Sequence, residues 1–163
     1  MKTKKKWIAL TVILMVLAII SFSHLTIPRT TVMAASIPGT TINSGESAIV
    51  YRFAVSAEGA DTKIEQIYLT FSPGASLTNL CFYDDNGNQL PGALYYNSEG
   101  MIRYWPGWPT EPKIVIPKGT TSILNLRANV AGQGATTIRM EDMVVEKGSV
   151  RGLPTISITL QIK

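Results

Sequence analysis

Beyond about position 45, apolar and polar residues alternate with a period of two, and almost nothing repeats at helical spacing. Ile49, Tyr51, Phe53 and Val55 fall on one side of a run whose other side carries Ala48, Arg52, Ala54 and Ser56. Ile67, Leu69 and Phe71 alternate with Gln66, Tyr68 and Thr70, and Leu124, Leu126, Ala128 and Val130 with Ile123, Asn125, Arg127 and Asn129. Ile156, Ile158, Leu160 and Ile162 close the pattern. One apolar and one polar side per run is what an antiparallel sheet needs when only one face is packed.

Turn residues fall between the runs. Pro38-Gly39, Ser44-Gly45, Pro73-Gly74, Asn86-Gly87, Pro91-Gly92, Lys118-Gly119 and Lys147-Gly148 punctuate the chain at sandwich-like spacing. Asn86-Gly87 is the sharpest signal, because both residues tolerate positive φ. It predicts a tight hairpin from Leu80–Tyr83 into a strand over Gln89–Leu94. Shorter strands are expected at Met101–Tyr104, Lys113–Ile116 and Thr136–Met140. The pattern predicts an all-β chain: a two-sheet sandwich of about eight antiparallel strands, with no repeat and no second domain.

The first 35 residues read differently. Lys2, Lys4, Lys5 and Lys6 precede an uncharged apolar run from Trp7 to Phe22, and small residues follow at Val32-Met33-Ala34-Ala35. This is the order of a secretory signal peptide, with a cut expected before Ala35. The alternative is a membrane anchor helix, for which the run is short: about 24 Å of helix against a hydrocarbon core of about 30 Å. The chain therefore divides into a signal peptide or anchor at 1–35 and a sandwich at 36–163, placed outside the cell or on the outer face of its envelope. No lipobox cysteine follows the apolar run, and Leu153-Pro154-Thr155 lacks the rest of a sorting signal, so covalent wall attachment is not expected.

Removing that segment reverses the charge. Five of the 15 basic residues and none of the 11 acidic ones lie before Ser36, so 10 basic residues face 11 acidic ones afterwards. The remaining Lys and Arg are scattered singly, whereas phosphate binding needs them clustered. Nucleic acid is not an expected partner, and a membrane is one only through the N-terminal segment. Cys81 is the only cysteine, so no internal disulfide is available, and it reads as a small buried thiol.

Catalytic parts are few. The only histidine, His24, lies in the export segment, which removes Ser–His and Cys–His pairs and the commonest zinc ligand from the exported part. The carboxylates Glu58, Asp61, Asp84, Asp85, Glu111, Glu141 and Asp142 sit in or near predicted turns, where solvated surface groups are the ordinary explanation. Asp84, Asn86 and Asn88 repeat the alternate oxygens of a calcium loop. However, Gln89 and Tyr95 stand where its glycine and bidentate glutamate belong, and the hairpin accounts for the same residues. The reading is a non-enzyme with no cofactor and no metal.

One stretch is chemically dense. Tyr95-Tyr96 and Tyr104-Trp105-Pro106-Gly107-Trp108-Pro109 concentrate Tyr95, Tyr96, Tyr104, Trp105 and Trp108 around a proline-rich loop. These rings suit a contact surface for another surface protein or an envelope glycan. They equally suit a cover for an open end of the sandwich.

Several elements together suggest a family. They are Phe53-Ala54-Val55-Ser56-Ala57 with Asp61, Ile64, Ile67 and Leu69, then Leu80, Phe82-Tyr83-Asp84 and Gly87. Ile116-Pro117-Lys118-Gly119-Thr120-Thr121 and Leu124-Asn125-Leu126 complete the set. The combination resembles immunoglobulin-like β-sandwich domains of secreted and surface-layer-associated bacterial proteins, over about Ile42 to Ile162. The resemblance implies a spacer, adhesive module or shell component and carries no catalytic residue. The expected function is an exported, non-catalytic structural or interaction module. The alternatives are a small carbohydrate-binding module using the aromatic loop and a membrane-tethered subunit of an envelope assembly.

Overall fold

The alternating runs are strands. A computed structural model describes residues 27–37, 39–72, 74–96, 100–105 and 112–163. Among them are β1 (Arg29–Ala34), β2 (Thr41–Ile42), β3 (Ser47–Glu58), β4 (Thr62–Phe71), β5 (Ala75–Tyr83) and β6 (Ala93–Tyr96). The rest are β7 (Met101–Trp105), β8 (Ile114–Ile116), β9 (Thr121–Gly132), β10 (Gly134–Val145), β11 (Ser149–Arg151) and β12 (Ile158–Ile162). One sheet has the order β11-β1-β3-β9-β5. The other has the order β2-β12-β10-β4-β7-β6, with β8 also paired to β4. The protein is an all-β two-sheet sandwich. Its strands are more numerous than the expected eight, the additions being β1, which was placed with the export segment, and the two- and three-residue strands β2 and β11.

The core lies between the sheets. Phe53 stands edge-on to Phe82 at 5.8 Å, and Phe82 edge-on to Tyr104 at 5.6 Å, so an aromatic chain links one sheet to the other. Ile67, Leu69, Leu124, Leu126, Ile138 and Leu160 fill the space around it. Two buried hydroxyl pairs join the layers as well: Thr30 with Thr62 at 2.7 Å, and Tyr51 with Thr155. Buried polar groups persist at low cost only when paired in this way.

Several expectations change. The ladder between β3 and β9 shifts at Ile49/Tyr51, so Val50 and Tyr51 both turn inward and Ile49 lies on the outer face. A bulge inserts one residue and reverses the alternation beyond it, which a strict period of two misses. Ile156 is 77% exposed and precedes β12, so the last inward run starts later than expected. Cys81 is half-buried rather than buried, with its Sγ accepting from Gln89 Nε2 at 3.5 Å. The pairs β1–β11 and β12–β2 are parallel, where only antiparallel pairing was expected. Parallel neighbours come from segments distant in sequence, and no local turn announces them.

Arg29–Ala34, placed with the export segment on sequence, forms β1 between β3 and β11, with Val32 at 1% exposure. Gly152 packs so closely on the Val32 carbonyl that any Cβ there would overlap it. The expected signal or anchor helix lies outside the described residues.

Candidate functional site

The outer face of the six-strand path is built on β6, β7, β4 and β10. Register places Tyr95 beside Arg103, Arg103 beside Tyr68, and Tyr68 beside Asp142, giving one row across four strands. The Arg103 guanidinium lies 5.4 Å from the Tyr68 ring centre, a cation–π contact. One step along, Trp105 pairs with Ala93, and its ring meets Tyr95 at 6.3 Å with an interplanar angle of 47°. Tyr95 is 55% and Trp105 41% exposed, and Val115 on β8 and Val144 on β10 are exposed as well. Ion pairs surround these groups: Lys63–Glu146 at 3.1 Å, Arg139–Glu141 at 3.0 Å, and Lys113–Glu65. Among the described residues, Arg103 belongs to no ion pair.

The five aromatics expected to act together are divided by the strand. Tyr104 is 1% exposed and belongs to the core, a correction to its place on a contact surface. Its hydroxyl donates to the Pro91 carbonyl at 3.0 Å, and burial pushes its pKa up to about 12. Gly92, at φ +105°, lies where any Cβ would overlap the Tyr104 ring. Tyr96 lies on β6 with its side chain outside the described set, and Trp108 lies wholly outside it. Tyr68 and Arg103 were missed as site residues, although both sit on the polar side of alternating runs. The signal was there: Met101, Arg103 and Trp105 share one parity, and Ile102 and Tyr104 the other.

A second concavity lies on the outer face of the five-stranded sheet. Arg52 on β3, Asn125 on β9 and Tyr83 on β5 are cross-strand neighbours in one row. The loop after β5 folds over that row. Asp84 holds the loop by accepting from the Asn86 N–H at 2.9 Å, the Asn88 N–H at 2.8 Å and Asn88 Nδ2 at 2.8 Å. These bonds, the Asn88 side chain first, hold the Asp84 pKa below its usual value. Both Asp84 oxygens thus serve the turn, the role that the hairpin reading gave them. The expected strand over Gln89–Leu94 shrinks to a Tyr83–Gln89 bridge and the bond from Leu90 N to Phe82 O, because Pro91-Gly92 carries the chain to the other sheet.

With Ile49, Asp85 and Arg127, these groups line a pocket of about 320 Å³. Arg52 pairs with Asp85 at 2.7 Å, and the Arg127 guanidinium sits 5.4 Å from the Tyr83 ring centre. Asn125 is 5% exposed, and its Nδ2 donates to the Asp84 carbonyl at 3.1 Å. Two buried polar atoms here lack a partner: Arg52 Nε and Asn125 Oδ1. An unmet buried donor or acceptor costs about 1–3 kcal/mol. Among the described residues no three His, Cys, Asp or Glu side chains converge as metal ligands. Asp61 and Asp142, weighed as catalytic carboxylates, accept from the backbone N–H groups of Lys118 and Met143.

No protein-family model and no curated protein matches the chain. Solved structures similar to it are cohesin modules. A cohesin from Clostridium acetobutylicum, CaCohA2, is 11% identical with a TM-score of 0.48, over 86% of this chain and 94% of that one. A cohesin module of a family 33 glycoside hydrolase from Clostridium perfringens is 14% identical with a TM-score of 0.46, over 85% and 98%. A type II cohesin domain from the cellulosome of Acetivibrio cellulolyticus is 12% identical with a TM-score of 0.38, over 82% and 95%. The immunoglobulin-like resemblance holds as a two-sheet β-sandwich, and likenesses this remote carry no argument about function.

Proposed function

We propose that this protein is an exported, non-catalytic interaction module that binds a protein partner through the outer face of β6, β7, β4 and β10. The carrying observation is that Tyr95 and Trp105 stand exposed on paired strands, tilted 47° to each other. A flat sugar platform needs coplanar rings, whereas tilted rings flanked by Arg103 and Tyr68 suit an uneven protein surface rich in hot-spot residue types. Strands hold these groups more rigidly than a loop, so little conformational entropy is lost on binding. Export rests on the Lys-rich, apolar pattern within 1–35.

The test compares the wild-type chain with a Tyr95→Ala/Trp105→Ala double variant for capture of proteins from the envelope and secreted fractions of the producing cell. The same pair is probed on a glycan array. A defined protein held by the wild type and lost by the variant, with melting temperature kept, supports the reading. Glycan binding lost through the same two rings, or capture indifferent to them, refutes it.

A further inference from the structure

A cut before Ala35 would excise β1, and β1 is tied into the fold along its whole length. Thr30 and Val32 are buried, and the Thr30 hydroxyl bonds the Thr62 hydroxyl at 2.7 Å across the two sheets. All six β1 residues pair with β3, and Arg29, Thr30 and Thr31 pair with β11 on the other side. β11 has no other strand neighbour in its sheet, so losing β1 would strand it. The bond before Ala35 is itself held in the ladder. Ala34 pairs with Phe53, and the Ala35 N–H donates to the Arg52 carbonyl at 2.9 Å. The tie reaches back to Pro28, whose carbonyl accepts from the Ser149 N–H at 3.2 Å. Gly148 approaches that carbonyl so closely that any Cβ there would overlap it. The folded sandwich therefore needs the chain from Pro28 onward, and an exported form keeps its sheet only when the cut falls earlier.

The residues upstream of Pro28 offer one such place. Trp7 to Ile20 is an uncharged, largely apolar run of 14 residues. That length falls within the roughly 7–15 of a signal-peptide core and short of the about 20 that span a bilayer. Ser21-Phe22-Ser23 follows at once, putting small side chains at −3 and −1 to the Ser23–His24 bond, as a signal peptidase requires. No other pair of small residues with this spacing lies between Ile20 and Pro28. Val32 and Ala34 have the spacing too, but they belong to β1. We infer that the export signal peptidase hydrolyses the Ser23–His24 bond, so that the mature chain begins at His24 and keeps β1 whole. Water adds across the amide: its hydroxyl goes to the Ser23 carbonyl carbon and its hydrogen to the His24 nitrogen. Four residues, 24 to 27, then precede Pro28. The inference rests on the export reading and on nothing that concerns the partner-binding face.

The test expresses the full chain in a secreting bacterial host and separates culture medium, washed envelope and cytosol after a short labelling pulse. Intact mass fixes the N-terminus in each fraction. A product in the medium beginning at His24 is expected. Ser23→Tyr, with a bulky ring at −1, should remove that product and leave the full-length chain in the envelope. Ser23→Ala keeps a small side chain and should be processed like the wild type. Position 23 precedes every contact described for β1, so loss of the product does not reflect a damaged sandwich. A full-length chain confined to the cytosol refutes export and the cut together. An exported chain that keeps Met1, a product beginning at Ala35, or undiminished processing of Ser23→Tyr refutes the cut alone.

Discussion

Val32 offers the sharpest test of where the folded protein begins. It sits on β1 at 1% exposure, two residues before the point at which the sequence predicts cleavage. Val32→Ala removes two methyl groups' worth of packing, about 1.6 kcal/mol at 0.8 kcal/mol per buried carbon. The cavity left behind raises this to about 2–3 kcal/mol. Its neighbour Met33 is exposed on the same strand, so Met33→Ala should change stability by no more than about 0.5 kcal/mol. Urea melts of the exported protein measure both. With an m-value of about 2 kcal/mol/M, Val32→Ala should lower the midpoint by about 1 M and Met33→Ala hardly at all. Intact-mass analysis of the same samples fixes the N-terminus, which should lie at or before Arg29. A mature protein beginning at Ala35 that still unfolds in one cooperative transition, indifferent to Val32→Ala, would refute the place of β1 in the sheet.

Leu126→Ala, on the core side of β9, should cost about 2–5 kcal/mol in the same melts, while Arg127→Ala one residue along should cost less than about 1 kcal/mol. Equal costs would show that the facing of β9 is wrong. Tyr104 couples stability to alkaline pH. Its folded pKa of about 12 lies above its unfolded value near 10, so its contribution is complete below pH 10 and lost as pH rises towards 12. The loss amounts to about 2–3 kcal/mol at 1.36 kcal/mol per pH unit. Tyr104→Phe should flatten that limb of the stability profile, although buried Tyr51, whose pKa is also raised, keeps part of it. An unchanged profile would mean that Tyr104 ionises freely.

How much was legible depends on the range of the cause. Alternation acts between neighbours, so the inward sets of β4 and β9 were readable, and with them the all-β sandwich. Inserted residues were not. The bulge at Ile49/Tyr51 turns Val50 inward and Ile49 outward, and nothing in the residues themselves marks the insertion. Long-range pairing was equally silent. The parity of Arg29–Ala34 is too short to separate a strand from the end of an export segment, and only its seat between β3 and β11 decides. The aromatic cluster was found by composition. Its members were then read as one surface, although a strand sends residues 104 and 105 to opposite sides. Asn125 left no signal, because its burial comes from a loop folding over the sheet rather than from its own strand.

These placements give the two outer faces different physical characters. On the face of β6, β7, β4 and β10 most charges cancel laterally in pairs, leaving exposed rings, the Arg103 guanidinium stacked on Tyr68, and the Asp142 carboxylate on the far side of Tyr68. A protein partner of the proposed kind would gain by excluding water over a broad area, with Arg103 placed to meet its carboxylates. On the opposite sheet the Asp84 loop borders a small open concavity lined by Arg52, Arg127, Asp84 and Asp85, and Arg52 Nε and Asn125 Oδ1 lie buried without a partner. The faces belong to separate sheets joined through the Phe53–Phe82–Tyr104 contacts.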